Sequence, residues 1–190
     1  KNNFLNIINL IKKKKYNFSR FDKSYKKNKI IYLRFDVDIS PYNAKKIGEL
    51  LSKKKISANF FFQINAETYN CFSLEIIQII KNLKKQNHCV GLHIDQNLIR
   101  LNQIADTIKW FSRNICTIDK VVSFHRPSRF VIEKKFKNFR NTYEKNFFNA
   151  NTYVSDSRNN KEFISKLSGL LNREEKQIQL LLHPEWWTKF

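Results

Sequence analysis

The chain has 190 residues, which suits one domain and is too short for two well-developed cores. Seventeen Phe, seven Tyr and three Trp supply a sizeable core and exclude wholesale disorder. A net charge of +20 makes nucleic acid or an anionic membrane the first partner to weigh. Phe4–Ile11 reads as an amphipathic surface helix running into Lys12–Lys15, without the small-residue cleavage site of a secretory signal. Residues 1–29 form a basic N-terminal segment, and a single domain is expected over 30–190. No methionine is present, so a trimmed start is expected. Ile30–Phe35 reads as a buried strand, and Ser40-Pro41 fits the cap and first turn of a helix reaching Lys54. Ser57–Ile64 is an aromatic strand, and Ser73 caps a helix to about Gln86. Cys89–Leu92 is a strand, Leu98–Asn114 a helix and Val121–Phe124 a strand. A short strand within Asn141–Asn149, a strand at Thr152–Val154, a helix at Lys161–Leu171 and a last strand at Gln177–Leu182 complete the pattern. Cys71, Cys89 and Cys116 are odd in number and widely spaced, so reduced core thiols are expected rather than a disulfide framework or zinc ribbon. No apolar run approaches the roughly 18 residues of a membrane span.

Strands alternating with helices predict an α/β fold with a mainly parallel sheet, either an incomplete (β/α)7-type barrel or a flat doubly wound sheet. Three glycines cannot build a nucleotide-cradling loop. The informative feature is where the polar residues fall. Asp36 and Asp38 end the first strand, Gln63 and Asn65 the second, His93 and Asp95 the third, and His125 and Arg126 the fourth. Asp156 follows the Thr152 strand, and His183 and Glu185 follow the last. In β/α folds these C-terminal ends converge on one face, where active sites form. Asp36 and Asp38, two apart in extended chain, project to the same side and repel unless a cation compensates. With His93 and Asp95 at equivalent positions, an Asp, His and Asp-or-His set suits zinc or a similar divalent metal. His88 precedes its strand and is read as structural.

These residues resemble the polysaccharide deacetylases of the NodB-homology type, carbohydrate esterase family 4, from about Ile30 to the C-terminus. The resemblance rests on Arg34-Phe35-Asp36-Val37-Asp38, Ala58-Asn59-Phe60-Phe61-Phe62, Asn87-His88-Cys89-Val90-Gly91-Leu92-His93, Arg126-Pro127 and Leu181-Leu182-His183. It implies that Asp36 is the catalytic base, Asp38 and His93 bind metal, Arg126 orients the base and His183 is the general acid. The family's second metal histidine falls on Asn97, so Asp95 or His125 is expected as third ligand. The blocks around Ser123–Ser128, Tyr153–Ser157 and His183–Trp187 are similar to a branch associated with bacterial surface polysaccharides.

The activity so implied is hydrolysis of an N-acetyl group on a sugar that is free, polymeric, or carried on a nucleotide or lipid. Trp186 and Trp187 are candidates to stack on the sugar, and Asp156 to touch its hydroxyls or assist His183. A cytoplasmic location with at most peripheral membrane contact is expected. Two other classes compete. A metal-dependent glycosyltransferase also uses Asp-x-Asp, but its nucleotide-binding unit precedes that motif, and here only a Lys-rich segment does. A nucleic-acid module would gather its lysines on one face, whereas these are spread from Lys12 to Lys135. With 27 Lys, 23 Asn and 22 Ile against 3 Gly and 5 Ala, the charge matches an A/T-rich codon bias, and no specific nucleic-acid partner is expected. The remaining alternative is an inactive deacetylase-like protein that binds glycans.

Overall fold

A computed structural model describes residues 4–24, 29–157 and 162–188; the predicted helix start at Lys161, and residues 1–3 and 25–28 of the basic segment, lie outside the described residues. In chain order come α1 (Phe4–Lys13), β1 (Asn17–Phe18), β2 (Ile30–Val37), α2 (Pro41–Lys53), β3 (Asn59–Gln63), α3 (Leu74–Lys85) and β4 (Cys89–Asp95). There follow α4 (Ile104–Asn114), β5 (Val121–His125), β6 (Arg140–Asn141), β7 (Tyr153–Ser155), α5 (Phe163–Asn172), β8 (Gln177–Leu182) and a 3-10 turn at Pro184–Trp186. The strands run in the order β6-β5-β4-β3-β2-β8-β7, with β1 beside the start of β2, and every pairing is parallel. The seven-strand path curls into the half-barrel expected of an incomplete (β/α)7 fold.

The alternation of β2 explains the curl. Ile31, Leu33, Phe35 and Val37 face the helix-covered core. Ile30 and Tyr32 instead join Phe21, Phe61, Cys89, Val121 and Phe147 in a second, inner cluster. Phe21 stacks on Tyr32 with ring centroids 4.6 Å apart, which plugs the end where the strands begin. All three cysteines are free and buried. Helix α1 is amphipathic as expected, but Phe4, Ile7, Ile8 and Ile11 are buried in the main core, and Phe4 meets Phe35 edge-on. The Asn59 side chain joins β1's exit to the barrel: its Nδ2 donates to Ser19 and Leu33 carbonyls, and its Oδ1 accepts from the Phe21 N–H.

Ser40 and Ser73 cap α2 and α3 by accepting from the Asn43 and Ile76 N–H groups. Helix α4 starts at Ile104 rather than Leu98, because the Leu98 and Ile99 N–H groups turn back to the Asp95 carbonyl. The strand expected within Asn141–Asn149 reduces to Arg140–Asn141. Asn141 there donates to the Val131 and Lys134 carbonyls and accepts from the Tyr143 N–H, drawing the chain out of the ladder. His88 is buried with Nδ1 accepting from the Ala58 N–H and Nε2 facing the Gly48 carbonyl, and burial pushes it down to about 4, the structural role read from its position.

Gly91 on β4 sits against the start of β5 and the Phe61 ring. A Cβ there would run into the Val121 carbonyl oxygen and the Phe61 ring. Gly91→Ala should therefore lose about 1–3 kcal/mol of stability by overpacking, read as a lowered urea midpoint.

Candidate active site

Above the aromatic plug the interior becomes polar. Arg34, the residue after Leu33 on β2, is fully buried. Its Nε donates to Asp36 Oδ1 at 2.9 Å and its Nη2 to Asp36 Oδ2 at 2.6 Å, a two-point ion pair on one strand face. The guanidinium also donates to Gln179 Oε1 on β8, Ser123 Oγ on β5 and the Tyr143 hydroxyl. Burial alone would push the Asp36 carboxyl up, but the adjoining Arg34 charge, then His93, hold it below the usual carboxylate range. Ser123 Oγ donates to Asp36 Oδ1 at 3.0 Å while lying 2.7 Å from His93 Nδ1. One hydroxyl hydrogen serves one acceptor, so His93 Nδ1 carries the proton that meets Ser123. Its Nε2 lone pair is thereby turned to the open end of the barrel.

That lone pair meets two others. His93 Nε2 is 3.3 Å from Asp38 Oδ1 and 3.3 Å from His125 Nδ1, and His125 Nδ1 is 3.8 Å from Asp38 Oδ1. Among the described residues these three form the group of His, Cys, Asp or Glu able to hold a metal. Tetrahedral bonds of about 2.0–2.1 Å require donors about 3.3 Å apart, so the spacing fits a divalent ion. Ser123 completes the fit by fixing the His93 tautomer from behind. Burial raises and the neighbouring histidines lower the Asp38 carboxyl, with a net downward shift; burial, then the proximity of His93, lowers His125 and favours its neutral ligating form. Gln63 Nε2 donates to Asp38 Oδ1 at 2.8 Å and aligns it.

His183 faces the group from the other side, with Nε2 3.6 Å from Asp38 Oδ2. Asp156 holds it twice, accepting from His183 Nδ1 at 2.6 Å and from the His183 backbone N–H at 2.9 Å. Trp187 Nε1 donates to the same carboxylate at 2.7 Å. Burial disfavours the imidazolium, but the Asp156 hydrogen bond and the charges of Asp156, Asp36 and Asp38 prevail and raise His183 to about 9.

The structure thus brings together Asp36, Asp38, His93, His125 and His183 on one cavity of about 320 Å³, which Phe148, Tyr153 and Leu181 also line. Asp95 lies outside the ligand group, its Oδ1 accepting the Asn97 N–H at the loop's first turn. Arg126 lines the cavity but makes no hydrogen bond to Asp36; the cation that pairs with Asp36 is Arg34. Asp156 and Trp187 are buried behind His183, whereas Trp186 is 59% exposed. In the sequence Gln63 stands out only as a strand-end polar residue, and Arg34 and Ser123 only as members of motif blocks, none of them with these roles. The available signal was Arg34, Asp36 and Asp38 at alternate positions of one strand, which sets a cation beside two carboxylates.

No family model and no curated protein matches the sequence. Solved structures do match in fold. The chitin deacetylase of the fungal pathogen Colletotrichum lindemuthianum superposes with a TM-score of 0.56 at 16% identity, over 84% of this chain and 75% of that one. The peptidoglycan deacetylase PdaC of Bacillus subtilis gives 0.55 at 17% identity, over 85% and 77%. BA3943 of Bacillus anthracis, a family 4 pseudoenzyme, gives 0.51 at 16% identity, over 84% of this chain and 56% of that one.

If Ser123 fixes the His93 tautomer, Ser123→Ala should weaken zinc binding about 10–100-fold in a calorimetric titration, with the fold retained. Arg34→Gln leaves Asp36 buried without its cation and should cost about 3–5 kcal/mol in urea denaturation.

Proposed function

We propose that this chain, which has the polysaccharide-deacetylase fold, is a metal-dependent hydrolase that removes the N-acetyl group of a sugar, with surface-polysaccharide synthesis as its setting. The observation that carries the reading is the Asp38–His93–His125 group at metal-ligand spacing, with Asp36 on one side and His183 on the other. Bound there, a divalent ion, zinc by its mixed nitrogen and oxygen donors, would polarise the acetamide carbonyl and bring the pKa of bound water towards ~7.

The chain's own residues do the rest. Asp36 is the base: its Oδ2 lies 3.6 Å from His93 Nδ1 at the cavity floor, and Arg34 keeps it ionised and in one rotamer. Arg34 therefore takes the orienting role that the resemblance gives to Arg126. His183 is the acid. Asp156 engages Nδ1, so Nε2 presents its proton to the cavity, where the departing amine needs it. Such proton transfer is typically worth about 10²–10⁴-fold in rate. Trp186, exposed beside His183, stacks on the sugar; Trp187 and Asp156 serve the acid rather than the substrate.

A second reading is inactive glycan binding. Asp36 is only 2% exposed and both of its oxygens already accept hydrogen bonds, which weakens it as a proton acceptor, and a pseudoenzyme shares the fold.

Calorimetry with zinc, followed by measurement of acetate released from N-acetylated sugars, separates the two. The deacetylase reading expects Asp38→Ala to lose metal, and Asp36→Asn and His183→Ala to keep metal but lose at least about 10²-fold in rate. Tight metal binding with no acetate from free, polymeric, nucleotide-linked or lipid-linked substrates would establish the inactive reading. A pH profile tests the acid independently. The acid must be protonated, so activity falls as pH rises through its pKa. Asp156 raises that pKa, so Asp156→Asn should move the alkaline limb to lower pH.

A further inference from the structure

The exposed large hydrophobic side chains are not scattered. Among the described residues, all but Trp110 lie on connections that follow the C-terminal ends of strands, or in the first turn of the helix those connections enter. Ile39 follows β2, Leu74 opens α3 after β3, Leu98 follows β4, Phe130 and Ile132 follow β5, and Trp186 follows β8. Leu74 is 86% exposed, Phe130 64% and Leu98 63%. Apart from Phe72, which packs against Trp110 and Phe111 on the flank of α4, these positions lie around the end of the barrel that holds Asp38 and His93. Residues fully wetted at such levels are individually ordinary, but their collection around one opening marks an interaction surface.

The chemistry of the ring selects the partner. Ile39, Leu74, Leu98 and Ile132 are aliphatic and offer a sugar no stacking face, while Tyr42, Phe130 and Trp186, with Phe72 on the flank, are aromatic, a mixture that membrane-surface faces share. In the connections after β4 and β5 the apolar groups have arginines beside them, Arg100 two residues after Leu98, and Arg126 and Arg129 before Phe130 and Ile132, all three exposed; Ile39, Leu74 and Trp186 instead adjoin Asp38, Glu75 and Glu185. The Arg129 guanidinium lies 5.2 Å from the Phe130 ring centroid. Arg126 stands at φ 48° in a left-handed turn directly after His125, exposed at the mouth of the cavity it lines. Neither 96–103 nor 126–132 contains an acidic residue, and the chain as a whole carries +20. Apolar tips with cations just behind them match an anionic headgroup layer over acyl chains.

We infer that the open end of the barrel docks on an anionic lipid surface through the connections after β4 and β5. Combined with the deacetylase reading, on which this clause alone rests, the surface makes the substrate a sugar held on a lipid anchor.

Co-sedimentation with phosphatidylcholine vesicles, with and without phosphatidylglycerol, tests the docking at physiological salt. Binding is expected only with phosphatidylglycerol, and Leu98→Asp and Phe130→Asp should each reduce it by roughly tenfold. Lys54→Gln, an equal change of charge at the other end of the barrel, should leave it unchanged. Equal losses in all three variants would overturn the docking face in favour of net charge alone. No binding to either vesicle would also overturn it, as would a dimer in light scattering that Leu98→Asp dissociates, which would assign the ring to a second copy of the chain. Because the readout is vesicle binding, its failure is distinct from a failure to release acetate.

Discussion

The two-point ion pair between Arg34 and Asp36 is the constraint on which the interior is organised. A buried guanidinium is tolerable only when its donors are used, because its desolvation is costly. Arg34 uses them on Asp36, Gln179, Ser123 and Tyr143. It lies 4.7 Å from the Tyr143 ring centroid, which adds a cation–π contact. One side chain thereby connects β2, β5, β8 and the segment after β6. The direction of β2 follows: its odd positions must feed the outer core, because its even positions carry the charges.

From that pair the polar groups rise in order towards the opening. Arg34 fixes Asp36, and both hold Ser123; Ser123 fixes the proton on His93, and His93 turns its free nitrogen to Asp38 and His125. Each step consumes one donor or acceptor and leaves the next with a defined direction. His183 is independent of this chain. It is set by Asp156, whose carboxylate is itself held by Trp187 and so by the packing of α5 through Phe163. The base and the acid of the proposed reaction are thus positioned by separate parts of the fold, and the base carboxylate and the carboxylate behind the acid face opposite demands. Asp36 is held ionised by a cation, whereas Asp156 stabilises a proton on its partner.

The strand-end placement of Asp36, Asp38, His93, His125 and His183 was legible in the sequence because strand position and period-2 alternation are local properties. So were the caps at Ser40 and Ser73, which depend on four consecutive residues. Less legible was anything set by contacts distant in sequence. Arg34 sits in the run IIYLRFDV, which reads as a buried strand whatever its fifth residue does; that its charge is met from Gln179 and Ser123 is a fact of tertiary structure. The choice between Asp95 and His125 had the same character. Both end a strand at the opening, but Asp95 turns back on its own loop and His125 does not. The late start of α4 is a third instance, since the apolar spacing of Leu98 and Leu101 is helical while their backbone is taken up by turns.

The open seam of the barrel completes the argument. Strands β6 and β7 are the two edges and are only two and three residues long, so no ladder joins them. The seam is closed by a side chain instead: Gln179 Nε2 donates to the Thr142 and Phe147 carbonyls while its Oε1 accepts from Arg34. The amide thus ties the irregular segment after β6 to the same ion pair that orders the strands. Tyr143 and Phe148 from this segment, with Tyr153 on β7, form the aromatic wall of the cavity. The longer strands β2, β4 and β8, with β5, position the candidate metal ligands, base and acid, and the seam carries the aromatic wall of the cavity. Under the proposed deacetylase reading, a change of substrate is accommodated at the seam, where backbone pairing is sparse, without moving Asp38, His93 or His183.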